Sequence, residues 1–217
     1  MCIRDRYLAD YNQTIRKYDL DSLIIEHNVA TSRVDIGEGK YLRYKVTESG
    51  ISPRLIPGKV EGEIVLVDSD EHSEEAHITE VADVRIAQME KRMRKLNLIN
   101  NEMVEPDLFG DENPDILLVG FGSTWGALKE ATEILNNDGI RVAALSFGDL
   151  YPLPTKKLKA MKERCKQIIN VEQNFTGQLG KLIAMETGIL TDSSILKYDG
   201  RQLTPMFIVN KVKEAVK

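Results

Sequence analysis

The sequence predicts an α/β fold with a mostly parallel sheet, preceded by an extended arm and one amphipathic helix. In residues 114–217, short apolar runs alternate with amphipathic segments, as in strands joined by helical crossovers. Residues 7–62 instead show little periodicity and several turn signals. Between these regions, "NNEMVEPDLFGDENP" has the composition of a linker. With 217 residues, 42% of them hydrophobic, the chain can bury one good core and a smaller satellite.

The first half of the chain predicts structure that lies on another surface. Its turn signals are "DIGEGK", "ESGISPR" and "IPGKVEG", and long irregular segments of this kind are usually functional or packed on a partner. A short apolar strand is predicted at Ile64–Val67. A helix is predicted from about Glu80 to Leu98, with an apolar stripe at helical spacing formed by Ala82, Ile86, Met89, Met93 and Leu96. We expect this stripe to pack against a body of protein rather than form a cofactor site.

Carboxylates and imidazoles crowd the loop between that strand and that helix. They are Asp68, Asp70, Glu71, His72, Glu74, Glu75 and His77. Such a group could bind a divalent cation. The spacing fits neither a calcium loop nor a His-x-x-x-His helix, however, and a solvated acidic loop explains it equally well. No metal site is therefore predicted.

Four strands, each followed by a helix, are predicted after the linker. The strands are Asp115–Phe121, Ile140–Phe147, Lys166–Glu172 and Ser194–Tyr198, and the first is a continuous apolar run of the type buried on both faces. The predicted helix caps are Ser123 or Thr124, then Thr155, and finally Thr204 followed by Pro205. The helix in "TGQLGKLIAMETG" is expected to end at Gly188.

A glycine-rich turn follows the first of these strands. Gly120, Gly122 and Gly126 give G-x-G-x-x-x-G, one residue longer than the dinucleotide fingerprint, and no acidic residue ends the next strand. We therefore favour glycines that allow a tight turn and close helix packing over binding of NAD. The turn formed by Gly120, Gly122 and Ser123 is kept as a candidate anion-binding site, because free N–H groups at a helix start attract anions.

Residues suited to catalysis are sparse. No Gly-x-Ser-x-Gly elbow surrounds Ser52, Ser123 or Ser146, and the only histidines are His27, His72 and His77. Cys165 precedes a buried strand, which indicates a packed thiol rather than a nucleophile. Glu172 ends a strand, where it either caps the following turn or projects a carboxylate into a crevice; we favour the cap. No catalytic residue is predicted.

Charge and composition exclude several classes of protein. A net charge of −5 gives no general attraction to nucleic acid, and we interpret the basic run Lys91–Lys95 as a solvated helix face. Two cysteines are too few for a disulfide framework or for the roughly four thiolates of an iron–sulfur cluster. No stretch approaches the roughly 20 apolar residues of a membrane span. We expect a cytoplasmic protein without membrane or nucleic-acid partners.

Separated motifs resemble one known family in the same order. "GISPR", "DSDEH" and "KRMRKL" are similar to the post-catalytic portion of the alpha subunit of 2-oxoacid:ferredoxin oxidoreductases, in a form closest to the 2-oxoglutarate type. "DILLVGFGSTWGALKEA", "VEQNFTGQLGKLI" and "KYDGRQLTP" resemble that subunit's second core domain, which has the fold of the transketolase C-terminal domain. The resemblance covers Tyr7 to Lys217.

This resemblance implies an enzyme complex that oxidatively decarboxylates a 2-oxoacid, transfers the acyl group to coenzyme A and reduces ferredoxin. It implies thiamine diphosphate, magnesium and iron–sulfur clusters, with a beta subunit and a second alpha subunit as partners. The family's thiamine-pyrimidine domain, which carries its catalytic glutamate, precedes "YLAD" and is not recognised in this sequence. We therefore expect residues 1–6 to be a non-native start, 7–113 to link to that domain, and 114–217 to be core domain II. This part alone is expected to be inactive and to bind no cofactor.

The expected contribution of the chain is structural, with one candidate binding element. Ser52 and Arg54 are candidate contacts for the substrate carboxylate or coenzyme A, because a guanidinium binds such groups in a bidentate way. A structural salt bridge is the alternative for Arg54. Two rival classes stay open: a stand-alone nucleotide-binding α/β domain, and a component of another transketolase-like thiamine enzyme, against which "DSDEH" and "KRMRKL" count.

Overall fold

Two compact units make up the described part of the chain. The computed structural model describes residues 17–23 and 29–215, so the expected non-native start at 1–6 lies outside them. The described residues of Ile15–Glu102 form one unit, here called the arm unit, and those of Met103–Lys217 form the other, the sheet unit. Among the helices within the described ranges, none has the length and apolar character needed to cross a membrane.

The arm unit contains two α-helices and a small apolar core. A 3₁₀ turn at Leu20–Ser22 precedes helix α1 (Arg33–Ile36), and the long helix α2 (Ala82–Glu102) ends the unit. The core consists of Ala30, Ile36, Tyr41 and Leu55, with Val60 and Val65 packed against it. The arm is therefore less purely extended than its low periodicity predicted, because these scattered apolar residues meet around one tyrosine.

The strand predicted at Ile64–Val67 is wrong. The structure assigns no strand there, and Ile64, Leu66 and Val67 are exposed. A strand needs a neighbour to accept and donate its ladder hydrogen bonds, and no described segment pairs with this one. Apolar character alone therefore misled the prediction.

Helix α2 confirms the predicted helix but packs on a different side. The predicted apolar stripe is not the buried face, since Ile86 is 55% exposed and Met93 is 51% exposed. The buried residues of the helix are Gln88 and Lys91, which is 3% exposed. Both are polar, so apolar spacing could not identify the side of α2 that packs against the rest of the arm unit.

The sheet unit is built on five strands. They are β1 (Asp107–Gly110), β2 (Ile116–Phe121), β3 (Val142–Phe147), β4 (Gln167–Glu172) and β5 (Ser193–Leu196). Their order across the sheet is β1-β3-β2-β4-β5, with β1 antiparallel to β3 and every other neighbouring pair parallel. The predicted α/β fold with a mostly parallel sheet is confirmed. The topological switch point lies between β2 and β4.

Strand β1 was missed because it lies within the predicted linker. It pairs with β3 from Asp107 opposite Ser146 to Gly110 opposite Ala143. Gly110 has φ +104°, and a Cβ there would lie 2.4 Å from the carbonyl oxygen of Val142. The edge strand can approach β3 this closely only because residue 110 is glycine. The compact sheet unit consequently begins ahead of the predicted domain start at 114.

Helices cover both faces of the sheet. They are α3 (Trp125–Asn137), α4 (Lys156–Lys162), α5 (Gln178–Thr187) and α6 (Pro205–Ala215), and a 3₁₀ turn at Gly122–Thr124 leads into α3. Along β2, Leu118 joins a core cluster with residues of α3 and α6, whereas Leu117 joins the cluster with residues of α4 and α5. Burial of both faces is the reason that the strand is a continuous apolar run, as predicted.

The helix caps are only partly as predicted. Gly188 ends α5 in the left-handed conformation, and Thr204 Oγ1 accepts a hydrogen bond from Phe207 N over 3.3 Å, so both predictions are confirmed. Thr124 is wrong as a cap, because its hydroxyl donates to the carbonyl of Phe121 instead, over 2.9 Å. Thr155 is also wrong, since it makes no cap hydrogen bond.

The start of α4 is capped by a residue distant in sequence. Glu105 accepts hydrogen bonds from the backbone N–H groups of Lys156 and Lys157, over 3.2 and 2.9 Å. A carboxylate at this position satisfies free N–H groups and complements the helix dipole. The segment ahead of β1 thereby fixes the start of a helix on the sheet.

Candidate functional site

The "GISPR" turn lies directly on helix α2. Gly50 has φ +79°, and a Cβ at this position would lie 2.6 Å from Lys91 O and 2.9 Å from Lys95 N. Arg94 Nη2 donates a hydrogen bond to Thr47 O over 3.0 Å, which fastens the start of the turn to the same helix. Glycine is required at residue 50 by both its backbone conformation and the close approach of the helix.

Lys91 joins the two ends of the 44–52 segment. Its Nζ donates hydrogen bonds to Tyr44 O over 2.7 Å and to Ser52 Oγ over 3.1 Å. Gln88 Nε2 donates to the same carbonyl of Tyr44 over 3.1 Å, and the Ser52 hydroxyl donates to Lys45 O over 2.8 Å. Burial lowers the pKa of Lys91 to about 8, with further lowering from neighbouring positive charges. The interpretation of Lys91–Lys95 as a solvated face is therefore wrong for Lys91.

Tyr41 holds the chain on both sides of Arg54. Its buried hydroxyl donates to Pro53 O over 2.9 Å and accepts from Leu55 N over 2.9 Å. The carbonyl of Arg54 itself accepts a hydrogen bond from Ala30 N over 2.8 Å. The backbone at 53–55 is thus fixed at three points, which presents the Arg54 side chain from a rigid base.

The guanidinium of Arg54 is exposed and forms no hydrogen bond or ion pair with the residues at 17–23 and 29–215. The structural salt bridge considered for it is therefore not found in these ranges. Ser52 differs, because it is half-buried and its hydroxyl is engaged with Lys91 and Lys45. The two predicted contact residues share one turn, but only Arg54 offers an unpaired group to a ligand.

The acidic loop braces the arm unit rather than lying free in solvent. Glu71 binds Arg85 and Arg92, each over 2.5 Å, and the hydrogen bond from Arg92 lowers the pKa of Glu71 to about 2. The buried His72 ring stacks on Tyr44 with ring centroids 3.6 Å apart. The described residues contain no group of three or more His, Cys, Asp or Glu side chains placed to hold a metal ion. His27 lies outside the described residues.

The glycine turn after β2 is explained mainly by packing. A Cβ on Gly120 would lie 2.6 Å from Leu128 Cδ1 and 2.7 Å from Thr124 Oγ1, so glycine lets α3 approach the sheet. Ser123 Oγ donates a long hydrogen bond of 3.5 Å to Gln173 Oε1, between the segments that follow β2 and β4. This bond lies beside the topological switch point, where α/β sheets bind ligands. Anion binding at the turn of Gly120, Gly122 and Ser123 stays a prediction.

Glu172 caps a helix, as favoured from the sequence. Its buried carboxylate accepts hydrogen bonds from Leu179 N over 2.8 Å and Gly180 N over 3.2 Å, within the first turn of α5. The side-chain amides of Asn170 and Asn174 each donate to it over 2.6 Å. All of these donors are internal, so the carboxylate does not project into a crevice.

Cys165 has the environment of a packed thiol. It is half-buried, and burial raises the pKa of its thiol. A reactive cysteine needs the opposite shift, because the thiolate is the nucleophile.

Known proteins are similar to this chain in both of its units. Residues 114–208 match the family model described as pyruvate:ferredoxin oxidoreductase core domain II. The alpha subunit of 2-oxoacid:ferredoxin oxidoreductase 2 from Aeropyrum pernix is 35% identical over 220 residues, which include 96% of this chain and 32% of the relative. The chain belongs to the 2-oxoacid:ferredoxin oxidoreductase family. It spans about a third of the length of the curated alpha subunits that it matches.

A solved member of the family matches the three-dimensional structure. The 2-oxoglutarate:ferredoxin oxidoreductase from Magnetococcus marinus, solved with 2-oxoglutarate, coenzyme A and succinyl-CoA bound, superposes with a TM-score of 0.80 at 30% identity. The superposition covers 93% of this chain and 34% of that one. The ketoisovalerate oxidoreductase subunit VorA from Pyrococcus furiosus is 32% identical over a shorter region, 43% of this chain and 24% of VorA.

Sequence reasoning missed the side chains that hold the turn. Gln88 and Lys91 lie on the polar side of a helix, and Tyr41 lies in a segment without periodicity. Their partners are 12 to 47 residues away in the chain. The one available signal was Gly50, since a glycine between a turn and a helix often marks a close approach of two backbones.

Proposed function

We propose that this chain is part of the alpha subunit of a cytoplasmic 2-oxoglutarate:ferredoxin oxidoreductase. The assembled enzyme would decarboxylate the 2-oxoacid oxidatively, transfer the acyl group to coenzyme A and reduce ferredoxin. The observation that carries the proposal is the extent of the likeness, because the 2-oxoglutarate enzyme matches 93% of the chain. By sequence, alpha subunits named for 2-oxoacids match 96% and 98% of the chain, whereas the ketoisovalerate subunit matches 43% of it, which counts against the branched-chain type.

The described residues do not fit the cofactors that this chemistry needs. Cys165 is the one cysteine among them, whereas an iron–sulfur cluster normally takes about four thiolates. In the acidic loop, Glu71 is engaged by two arginines, Glu74 accepts from Val46 N and Glu75 accepts from the Ser73 hydroxyl, and the described residues contain no group of three or more His, Cys, Asp or Glu placed to hold a metal ion. We therefore assign thiamine diphosphate, magnesium and the clusters to other parts of the complex, mainly the beta subunit, and derive no step through them here.

A substrate comparison tests the proposed specificity. The assembled enzyme is given 2-oxoglutarate, pyruvate or 2-oxoisovalerate with coenzyme A, and reduction of ferredoxin is followed. We expect the highest kcat/KM with 2-oxoglutarate. A higher value with 2-oxoisovalerate would assign the chain to the branched-chain type instead, and a higher value with pyruvate would contradict both.

Within this enzyme, Arg54 is proposed to bind an anionic group of a substrate. The support is its exposed guanidinium, without a partner in the described chain, on a backbone fixed by Tyr41 and Ala30. A guanidinium on a rigid base loses little conformational entropy when it binds a carboxylate or phosphate in a bidentate way. Ser52 would orient the turn through its hydrogen bonds with Lys91 and Lys45.

Replacement of Arg54 with lysine tests this contact. The variant keeps the charge but loses the two-pronged geometry, so KM for 2-oxoglutarate or for coenzyme A should rise about tenfold with kcat nearly unchanged. Arg201→Lys is the matched control, because Arg201 is an exposed arginine of the sheet unit. An unchanged KM for both substrates would dismiss the contact.

The arm unit is also proposed to contact the rest of the complex. Its exposed apolar side chains are Ile64, Val67, Ile78, Val81, Ile86 and Met93. In the proposed assembly, a beta subunit or a second alpha subunit would cover these side chains. Backbone hydrogen exchange at 64–67 and in α2 should be slower in the assembled enzyme than in the chain alone. Equal exchange rates would contradict an assembly role.

A further inference from the structure

We propose that Lys91 is a positioning residue that holds the Ser52–Arg54 segment in its anion-binding conformation. The inference rests on the proposed function of Arg54 and goes beyond it, because Lys91 lies in helix α2 and touches no ligand. Its Nζ binds Tyr44 O and Ser52 Oγ, which lie at the two ends of the segment that leads to Arg54. Lys91 thereby holds the two ends of this segment together.

Three other contacts fix the earlier part of the same segment to helix α2. Gln88 holds Tyr44 O from the preceding turn of the helix, Arg94 holds Thr47 O, and Gly50 rests on the helix backbone at Lys91 O. These contacts all precede Ser52. Lys91 is the residue of α2 that holds Ser52 itself, two positions before Arg54.

The ammonium group of Lys91 is buried, which is unusual for a lysine. Burying a charge is costly unless it is well hydrogen-bonded, and Lys91 is 3% exposed yet forms no ion pair with the described residues. Gln88 shows that a neutral side chain on the same helix can hold Tyr44 O. A neutral side chain could therefore hold Tyr44 O, and the ammonium of Lys91 provides in addition a charged hydrogen bond to Ser52, two residues before Arg54.

The surroundings of Lys91 make this function dependent on pH. Lys95 and Arg92 on α2 and Arg43 from the 43–44 turn face it with positive charge, and Glu74 faces it with negative charge. With burial as the main cause, its pKa falls to about 8. The ammonium is therefore present at neutral pH, and it is lost as pH rises above about 8. KM for the anionic substrate should rise over the same range.

Trypsin provides a direct readout of the turn in the full chain. It cleaves after arginine, and the Arg54–Leu55 bond is protected because Arg54 O and Leu55 N are both hydrogen-bonded. Lys91→Met keeps an unbranched side chain only one heavy atom shorter and removes both hydrogen bonds of Nζ, so cleavage at Arg54–Leu55 should accelerate several-fold. Cleavage at Arg201–Gln202 in the sheet unit is the internal control. An unchanged rate at Arg54–Leu55 would overturn the inference.

Kinetics of the assembled enzyme separate positioning from general stability. Lys91→Met should raise KM about three- to tenfold and leave kcat nearly unchanged, whereas Lys91→Arg should retain a low KM to higher pH because arginine stays charged. In an Arg54→Ala background, Lys91→Met should add no further increase in KM. A loss of stability alone would lower the active fraction equally in both backgrounds.

The two proposals fail in distinguishable ways. If Arg54→Ala leaves KM unchanged, the proposed function of Arg54 is overturned, and the inference about Lys91 with it. If Arg54→Ala raises KM but Lys91→Met does not, or raises it by the same factor in both backgrounds, only the inference about Lys91 is overturned. Should Lys91→Met fail to fold, the pH profile of Lys91→Arg decides: a KM that rises above pH 8 as in the unchanged enzyme would overturn the inference.

Discussion

Lys91 Nζ lies 3.1 Å from Ser52 Oγ, although 39 residues separate the two along the chain. This hydrogen bond joins a helix that looks solvated in the sequence to a turn that looks irregular. Together with the close approach of Gly50, it fastens the segment from Tyr44 to Ser52 to helix α2, in addition to the small apolar core that contains Tyr41. The candidate anion contact at Arg54 depends on these contacts within the arm unit rather than on the sheet.

Replacing Gly50 with alanine should destabilise the arm unit strongly. The new Cβ would lie 2.6 Å from Lys91 O, and alanine at φ +79° carries a conformational cost as well. We expect a loss of about 3–4 kcal/mol from these two effects together. Gly58→Ala is the matched control, since Gly58 has φ +78° but no atom within 4 Å of the added Cβ. Hydrogen exchange of arm-unit peptides measures both, and equal effects would refute the close contact at residue 50.

Glu71 should make the arm unit sensitive to acid. Its pKa is lowered from 4.5 to about 2, mainly by the hydrogen bond from Arg92, so its carboxylate stabilises the folded unit above the unfolded pKa. This contribution is lost as pH falls from about 4.5 towards 2. Glu71→Gln should therefore lower stability at pH 7 and flatten the decline between pH 5 and 3. Asp70→Asn, at an exposed neighbour, should retain the decline; a Glu71→Gln variant with the same pH profile as the original would refute the assignment.

Glu172→Gln should destabilise the sheet unit by about 2 kcal/mol. Four donors surround the carboxylate, two from the first turn of α5 and two from asparagine side chains. Glutamine removes the charge and places an amide donor against these donors. Chemical unfolding of the variant measures the change, with Glu163→Gln at an exposed position as the control. Equal stability of the two variants would contradict the role of Glu172 as a cap.

Glu105, rather than Thr155, should determine the stability of helix α4. Glu105→Ala leaves two N–H groups of the first turn without an acceptor and should cost about 1 kcal/mol of unfolding free energy. Thr155→Ala should cost less, because Thr155 makes no cap hydrogen bond. Thermal unfolding of the two variants distinguishes these expectations. A larger loss for Thr155→Ala would restore the cap that the sequence predicted.

The elements of the sheet unit could be predicted from the sequence because their buried residues are apolar and follow regular local patterns along the chain. β2 is buried on both faces, so its residues form one uninterrupted apolar run, and Gly188 ends α5 as its position indicates. Strand β1 escaped prediction because a four-residue edge strand with a charged start depends on β3 for its pairing. Glu105 escaped for a similar reason, since its partners lie 51 and 52 residues away.

The candidate site was predictable only in part. Arg54 and Ser52 could be selected from the "GISPR" motif, but nothing local indicated that Ser52 is engaged internally and Arg54 is not. Gln88 and Lys91 are buried although they lie outside the apolar stripe predicted for α2. Their burial is stabilised by hydrogen bonds to the backbone carbonyl of Tyr44 rather than by apolar contacts. Polar cores formed by distant segments leave no periodic pattern in a sequence.

Arginine-specific labelling of the assembled enzyme tests the central claim most directly. Modification of Arg54 by phenylglyoxal is quantified by mass spectrometry with and without 2-oxoglutarate or coenzyme A, with Arg201 as the internal reference. We predict that at least one of these ligands protects Arg54 several-fold and leaves labelling of Arg201 unchanged. Equal labelling of Arg54 in the presence and absence of both ligands would contradict the claim that the "GISPR" turn binds an anionic substrate.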